Sequence, residues 1–112
     1  MNQRIREVAF ASEKLAEAFR ELKSGKFEEK QLFEFIERAI EDLKQNPQCG
    51  IRIPNKLIPK EYIQKYGINN LWKYNLPNAW RLLYSLTANE IKIVSMILEW
   101  MDHKDYEKRF KY

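Results

Sequence analysis

Residues 71–112 read LWKYNLPNAWRLLYSLTANEIKIVSMILEWMDHKDYEKRFKY, and the alternation within them decides the fold. Successive side chains of a strand point to opposite sides. In Trp80–Leu86 this places Trp80, Leu82, Tyr84 and Leu86 on one face, and Arg81, Leu83 and Ser85 on the other. Thr87-Ala88-Asn89-Glu90 is a short polar turn. Ile91–Trp100 is apolar on both sides, with Ile91, Ile93 and Ile97 opposed to Val94, Met96, Leu98 and Trp100. Such a strand belongs in the middle of a sheet, covered from above and below. Leu71–Leu76 is a third, aromatic-rich strand, and Pro77-Asn78 closes its turn. Three strands with short connections predict a meander, and its apolar face demands a covering layer.

That layer is upstream. Arg4–Ala11 is expected to form a first strand with Val8 and Phe10 on one face. Ser12 is a good helix N-cap, and Leu15, Phe19 and Leu22 recur at helical spacing up to Ser24-Gly25. A second helix, from Glu28 to Gln45, carries the stripe Leu32, Ile36, Ala39, Ile40 and Leu43, and Pro47 and Gly50 end it. The short link between the two helices predicts an antiparallel hairpin. Residues 48–70 are irregular apart from a short helix, Lys60–Tyr66, bounded by Pro59 and Gly67. The expected architecture is therefore α+β in the order β-α-α-β-β-β. It is one four-stranded antiparallel sheet with a helical hairpin on one face, and the other face at least partly open.

The 112 residues suffice for one domain with a real core, and 45% hydrophobic content excludes a disordered chain. No apolar run is long enough to span a membrane, and MNQRIREVAF lacks the apolar core of a signal peptide, so a cytoplasmic location is expected. The one cysteine, Cys49, cannot form an internal disulfide, and neither a metal cluster nor a cofactor motif is present. Charge is uneven. Residues 1–46 carry 9 Lys+Arg against 10 Asp+Glu, whereas residues 47–112 carry 11 against 6. The basic half suits a polyanion, by release of phosphate counterions, although the same charge also serves solubility.

Two features stand out. Arg81 interrupts an apolar strand, and the single histidine, His103, follows the last strand with Lys104, Tyr106, Lys108 and Arg109 behind it. Taken alone, Arg81 reads equally as a structural partner of Glu99 or Asp102, His103 as a surface residue, and the three tryptophans as packing.

The element order, the strand Trp80-Arg81-Leu82-Leu83-Tyr84 and the ending His103-Lys104-Asp105-Tyr106 resemble the RelE/ParE superfamily of toxins from type II toxin–antitoxin modules. The ending is one spacer shorter than the family's form. The resemblance implies a metal-independent, ribosome-dependent endoribonuclease that cleaves mRNA in the decoding site, restrained by an antitoxin that binds as a helix or extended arm. By the same resemblance, Arg81 would clamp the phosphate, and His103 and Tyr106 would be acid/base groups. Lys73, Lys104, Lys108 and Arg109 would hold the RNA backbone, and Trp72, Tyr74 or Tyr112 could stack on a base. The glutamate that some members carry on the strand equivalent to Leu71–Leu76 is missing, and Glu99 and Asp102 are the nearest carboxylates in sequence. The superfamily also contains gyrase inhibitors and degenerate toxins that only bind their antitoxin, so fold alone does not fix function. A structural RNA-binding protein is a third possibility.

Overall fold

A computed structural model describes residues 4–110. The chain is α+β. Strand β1 (Ile5–Phe10) leads into helix α1 (Glu13–Leu22) and helix α2 (Phe27–Gln45). A three-residue strand, β2 (Ile51–Ile53), precedes helix α3 (Lys60–Tyr66), and β3 (Leu71–Asn75), β4 (Trp80–Ala88) and β5 (Lys92–Asp102) follow. Helix α4 (His103–Phe110) grows directly out of β5. The strands form one sheet in the order β1-β5-β4-β3-β2.

The sheet differs from the expected one in two ways. It has five strands, because Ile51–Ile53 pairs antiparallel with Leu71–Lys73. It is also mixed, because β1 runs parallel to β5, with Ile5 opposite Lys92 and Phe10 opposite Ile97. Hydrophobic alternation shows which face of a strand is buried but not the direction of its neighbour.

Local chemistry sets the helix boundaries. Ser12 Oγ accepts the Leu15 N–H at 3.1 Å and starts α1. The Glu29 carboxylate folds back to accept the Lys26 N–H at 3.0 Å at the start of α2. Gly67, at φ 64°, ends α3 in the left-handed region, which glycine enters without steric cost. Among the described residues, no helix is long and apolar enough to cross a membrane.

The α1–α2 hairpin packs on one face of the sheet as expected. Leu32, Ile36, Ala39 and Leu43 of α2 are buried against Trp72, Leu76, Leu82, Tyr84 and Ile97. Each fully buried large aliphatic side chain contributes about 1.5–3 kcal/mol of transfer free energy. The opposite face is not left open. Helices α3 and α4 cover much of it, with Tyr62, Tyr106 and Phe110 packing on Leu71, Leu83, Leu98 and Met101. Residues 103–110 thus form a helix with a buried side.

A bulge in β5 corrects the expected alternation. Leu83 faces Glu99 but Tyr84 faces Ile97, which leaves Leu98 without an opposite residue. The extra residue resets the phase, so Ile97 and Trp100, expected on opposite faces, both pack with the α1–α2 core. Leu98 joins the other core, and Glu99 is turned to the same side, toward α3 and α4.

Candidate functional site

The site lies where β3, β4 and the first turns of α4 meet. Arg81 shares a face with Leu83, and its strand neighbour on β5 is Met101, two residues before His103. Because α4 begins where β5 stops, its first turn folds back over this end of the sheet, and Arg81 Nη2 lies 3.4 Å from His103 Nδ1. A guanidinium only donates, so Nδ1 is the accepting atom where this contact is a hydrogen bond. His103 Nε2 lies 3.3 Å from Glu107 Oε1, one helical turn on.

Tyr106 is the floor. Its ring is buried and stacks on Phe110 with centroids 4.4 Å apart. Lys73 Nζ sits 5.0 Å from the centroid of the Tyr106 ring, and the Arg81 guanidinium carbon sits 5.8 Å from it. Two cations therefore share one aromatic surface, which attracts each through its quadrupole. The two come together because Lys73 pairs with Leu83 on β4, two residues from Arg81 and on the same face.

The possible ion pairs of Arg81 are taken up elsewhere. Glu99 receives the Tyr62 hydroxyl at 2.7 Å and lies 3.3 Å from Arg109 Nη1. Asp102 Oδ1 accepts the Asp105 N–H at 2.9 Å, within the first turn of α4. Arg81 has no carboxylate partner among the described residues. Its Nη1 donates to the Trp80 carbonyl at 3.2 Å, and its Nε is buried without an acceptor among the described residues. The structural ion pair weighed from sequence is absent, and a cation remains with donor capacity in hand.

The other sequence-derived candidates divide. Arg81, His103, Tyr106 and Lys73 are brought together. Arg109 is not part of that group. It is tied to Glu99, to Glu61 at 3.6 Å and to the Tyr62 hydroxyl at 3.0 Å. Burial opposes the Arg109 charge, but Tyr62, Glu99 and Glu61 outweigh it and hold the guanidinium protonated more firmly than usual. Burial first, then the bond to Glu99, raises the Tyr62 hydroxyl far above the ordinary tyrosine range. Lys108 lines a shallow surface depression with Arg109, Glu61 and Asp105, and Lys104 is exposed on α4. Trp72 is buried beside Tyr84, and the Tyr74 hydroxyl donates to Asp42, so both serve packing and hydrogen bonding here. Tyr112 lies outside the described residues. Glu107 was not singled out from sequence. Its signal is the four-residue spacing from His103, which counts only once residues 103–110 are known to be helical.

Comparison with protein-family models, with curated proteins and with solved structures returned no match.

Proposed function

We propose that this chain is the toxin of a type II toxin–antitoxin pair of RelE/ParE type, acting as an endoribonuclease on mRNA in the ribosomal decoding site. The observation that carries the reading is Arg81. It is an arginine in a strand, without a carboxylate partner among the described residues, 3.4 Å from the chain's single histidine. A phosphodiester supplies the acceptors that this guanidinium lacks.

The chemistry follows from the side chains. The ribose 2′-oxygen attacks the adjacent phosphorus, its proton passes to a base, and the bond from phosphorus to the 5′-oxygen breaks. The 5′-oxygen takes up a proton, and a 2′,3′-cyclic phosphate is left on the upstream fragment. Arg81 and Lys73 stabilise the negative charge that grows on the non-bridging oxygens. The imidazole of His103 exchanges protons with the reacting oxygens once phosphate displaces Arg81 from Nδ1. The buried Tyr106 ring fixes the position of both cations, and its hydroxyl is the remaining acid/base candidate. Lys104 and Lys108 on the exposed side of α4 add attraction for the RNA backbone.

The test is primer extension on a reporter mRNA in cell-free translation, using wild-type protein beside Arg81→Ala and His103→Ala. Discrete cuts that need translating ribosomes and vanish in both variants are the expected result. Intact message and normal translation would sink the ribonuclease reading. Growth inhibition that survives in both variants would then point to a gyrase-directed toxin, and no growth effect at all to a toxin reduced to antitoxin binding.

A further inference from the structure

The α1–α2 face of the sheet carries a cavity of about 550 Å³ remote in chemistry from the Arg81 cluster. It opens between the start of α2, the start of β4 and the end of β5, at the same end of the sheet as Arg81 but on the opposite face. Trp80 and Trp100 line it from the sheet, and Phe35 lines it from α2. Trp80 lies opposite Asp102 and Trp100 opposite Leu82, so the two indoles are diagonal neighbours on one face. Glu28 and Glu29 supply the acidic part of the wall.

Three observations set this cavity apart. First, no lysine or arginine lines it, in a chain that carries 20 of them. Second, the cation–π contacts among the described residues engage Phe33, Tyr66, Tyr106 and Tyr62, and neither Trp80 nor Trp100 has one. Indole is the strongest of the aromatic partners for a cation. Third, the two carboxylates differ. Glu29 is committed to the Lys26 N–H, a fold-back that Gly25 permits, because a side chain there would begin 2.6 Å from the Glu29 carboxyl carbon. Glu28 has no hydrogen bond or ion pair to a described residue, and its structural role is only to offset the positive end of α2.

We infer that this cavity binds an arginine side chain presented by a peptide segment of a partner protein, stacked against Trp80 and Trp100 and paired with Glu28. The guanidinium matches the walls better than an ammonium does. It is planar, weakly hydrated and forked, so one face can lie on an indole while its edge donates twice to a carboxylate. The inference does not depend on the ribonuclease reading, since the residues concerned lie on the other face of the sheet.

The test uses the indole Nε1–H signals of the three tryptophans in ¹⁵N-labelled protein. The probes are acetyl-Leu-Arg-Leu-amide and the same peptide with citrulline, which keeps the shape and loses the charge. The arginine peptide should move the Trp80 and Trp100 signals and leave that of buried Trp72 in place. Citrulline should bind about tenfold more weakly, a loss of about 1.4 kcal/mol. The Glu28→Gln variant should weaken arginine binding about threefold and leave citrulline binding unchanged. Glu28 is exposed, so this variant should fold normally. No movement of either signal at millimolar peptide, equal binding of the two peptides, or an unchanged affinity in Glu28→Gln would each overturn the inference.

Discussion

Arg81 and Arg109 lie on the same side of one sheet, each against a buried tyrosine, yet they are finished differently. Arg109 meets two carboxylates and a tyrosine hydroxyl, drawn from two other elements: Glu61 and Tyr62 from α3, and Glu99 from β5. Arg81 meets a backbone carbonyl, an imidazole nitrogen and the face of Tyr106, and one of its donors is buried without an acceptor among the described residues. An arginine saturated by acids joins secondary-structure elements. An arginine left short of them is costly to hold in the fold unless something anionic visits. Placement of carboxylates, more than placement of arginines, is what separates a brace from a candidate binding site here.

The contrast can be broken experimentally, and the largest effect should fall on Arg81. Arg81→Ala should lower the cleavage rate by about 10²–10³-fold, the typical loss when one preorganised charge stabiliser is removed. It should change stability by less than about 1 kcal/mol, because no ion pair with a described residue is lost. Urea titration beside the primer-extension assay gives both numbers. A variant that unfolds would assign Arg81 to the same class as Arg109. The reverse pattern is expected for Glu99→Gln. It keeps the shape, but removes the charge that holds Arg109 and accepts from Tyr62, so unfolding free energy should drop by about 1–2 kcal/mol with cleavage unchanged. The loss is small because the Arg109 and Glu99 side chains are 34% and 29% exposed, and solvent screens the pair.

A third variant tests the turn that aims Arg81. Asn78 and Ala79 both have positive φ, 60° and 63°, between β3 and β4. Asparagine tolerates this conformation, whereas alanine holds it at a steric cost. Ala79→Gly should therefore raise stability by roughly 1 kcal/mol in thermal or urea unfolding. It should leave cleavage unaltered if the position of Arg81 is held by Tyr106 rather than by the turn.

The smallest effect concerns the other tyrosine–carboxylate pair. Burial, with help from the bond to Asp42, pushes the Tyr74 hydroxyl from 10.0 up to about 12. The folded state favours the protonated phenol. Its contribution is complete below pH 10, the unfolded value, and is lost as pH rises through about 12. Tyr74→Phe should flatten the decline of stability in that window and change little at neutral pH. An unchanged decline would assign it to Tyr62 or Tyr84, which titrate higher still.

Much of this arrangement was legible in the sequence, and the gaps have physical causes. The β3–β4–β5 meander, the helical hairpin and α3 follow from alternation, apolar stripes and the Pro59 and Gly67 boundaries. Strand β2 was missed because three residues are too few to show a period. The bulge at Leu98 was hidden because apolar residues on both sides of β5 mask a phase slip. Helix α4 was obscured by its charge, although Tyr106 and Phe110 stand four residues apart on what becomes its buried side. The meeting of Arg81 with His103 depends on α4, whose first turn folds back over the end of the sheet. The roles of Glu107, Tyr62 and Glu99 depended on α4 and on the bulge, and so became visible only with them.

The parallel pairing of β1 with β5 sets an order of events. The six residues of β1 pair with residues 92–97, and its N-terminal end is tied to the Ile91 carbonyl at 2.9 Å. On the ribosome, α1 and α2 emerge early, but the strand at the sheet edge has no neighbour until β5 follows more than eighty residues later. Pairing of such wide sequence separation is slow and is completed late. Strand β1 therefore cannot be placed in the sheet before β5 has been made. A chain cut short before β5 loses both strands together.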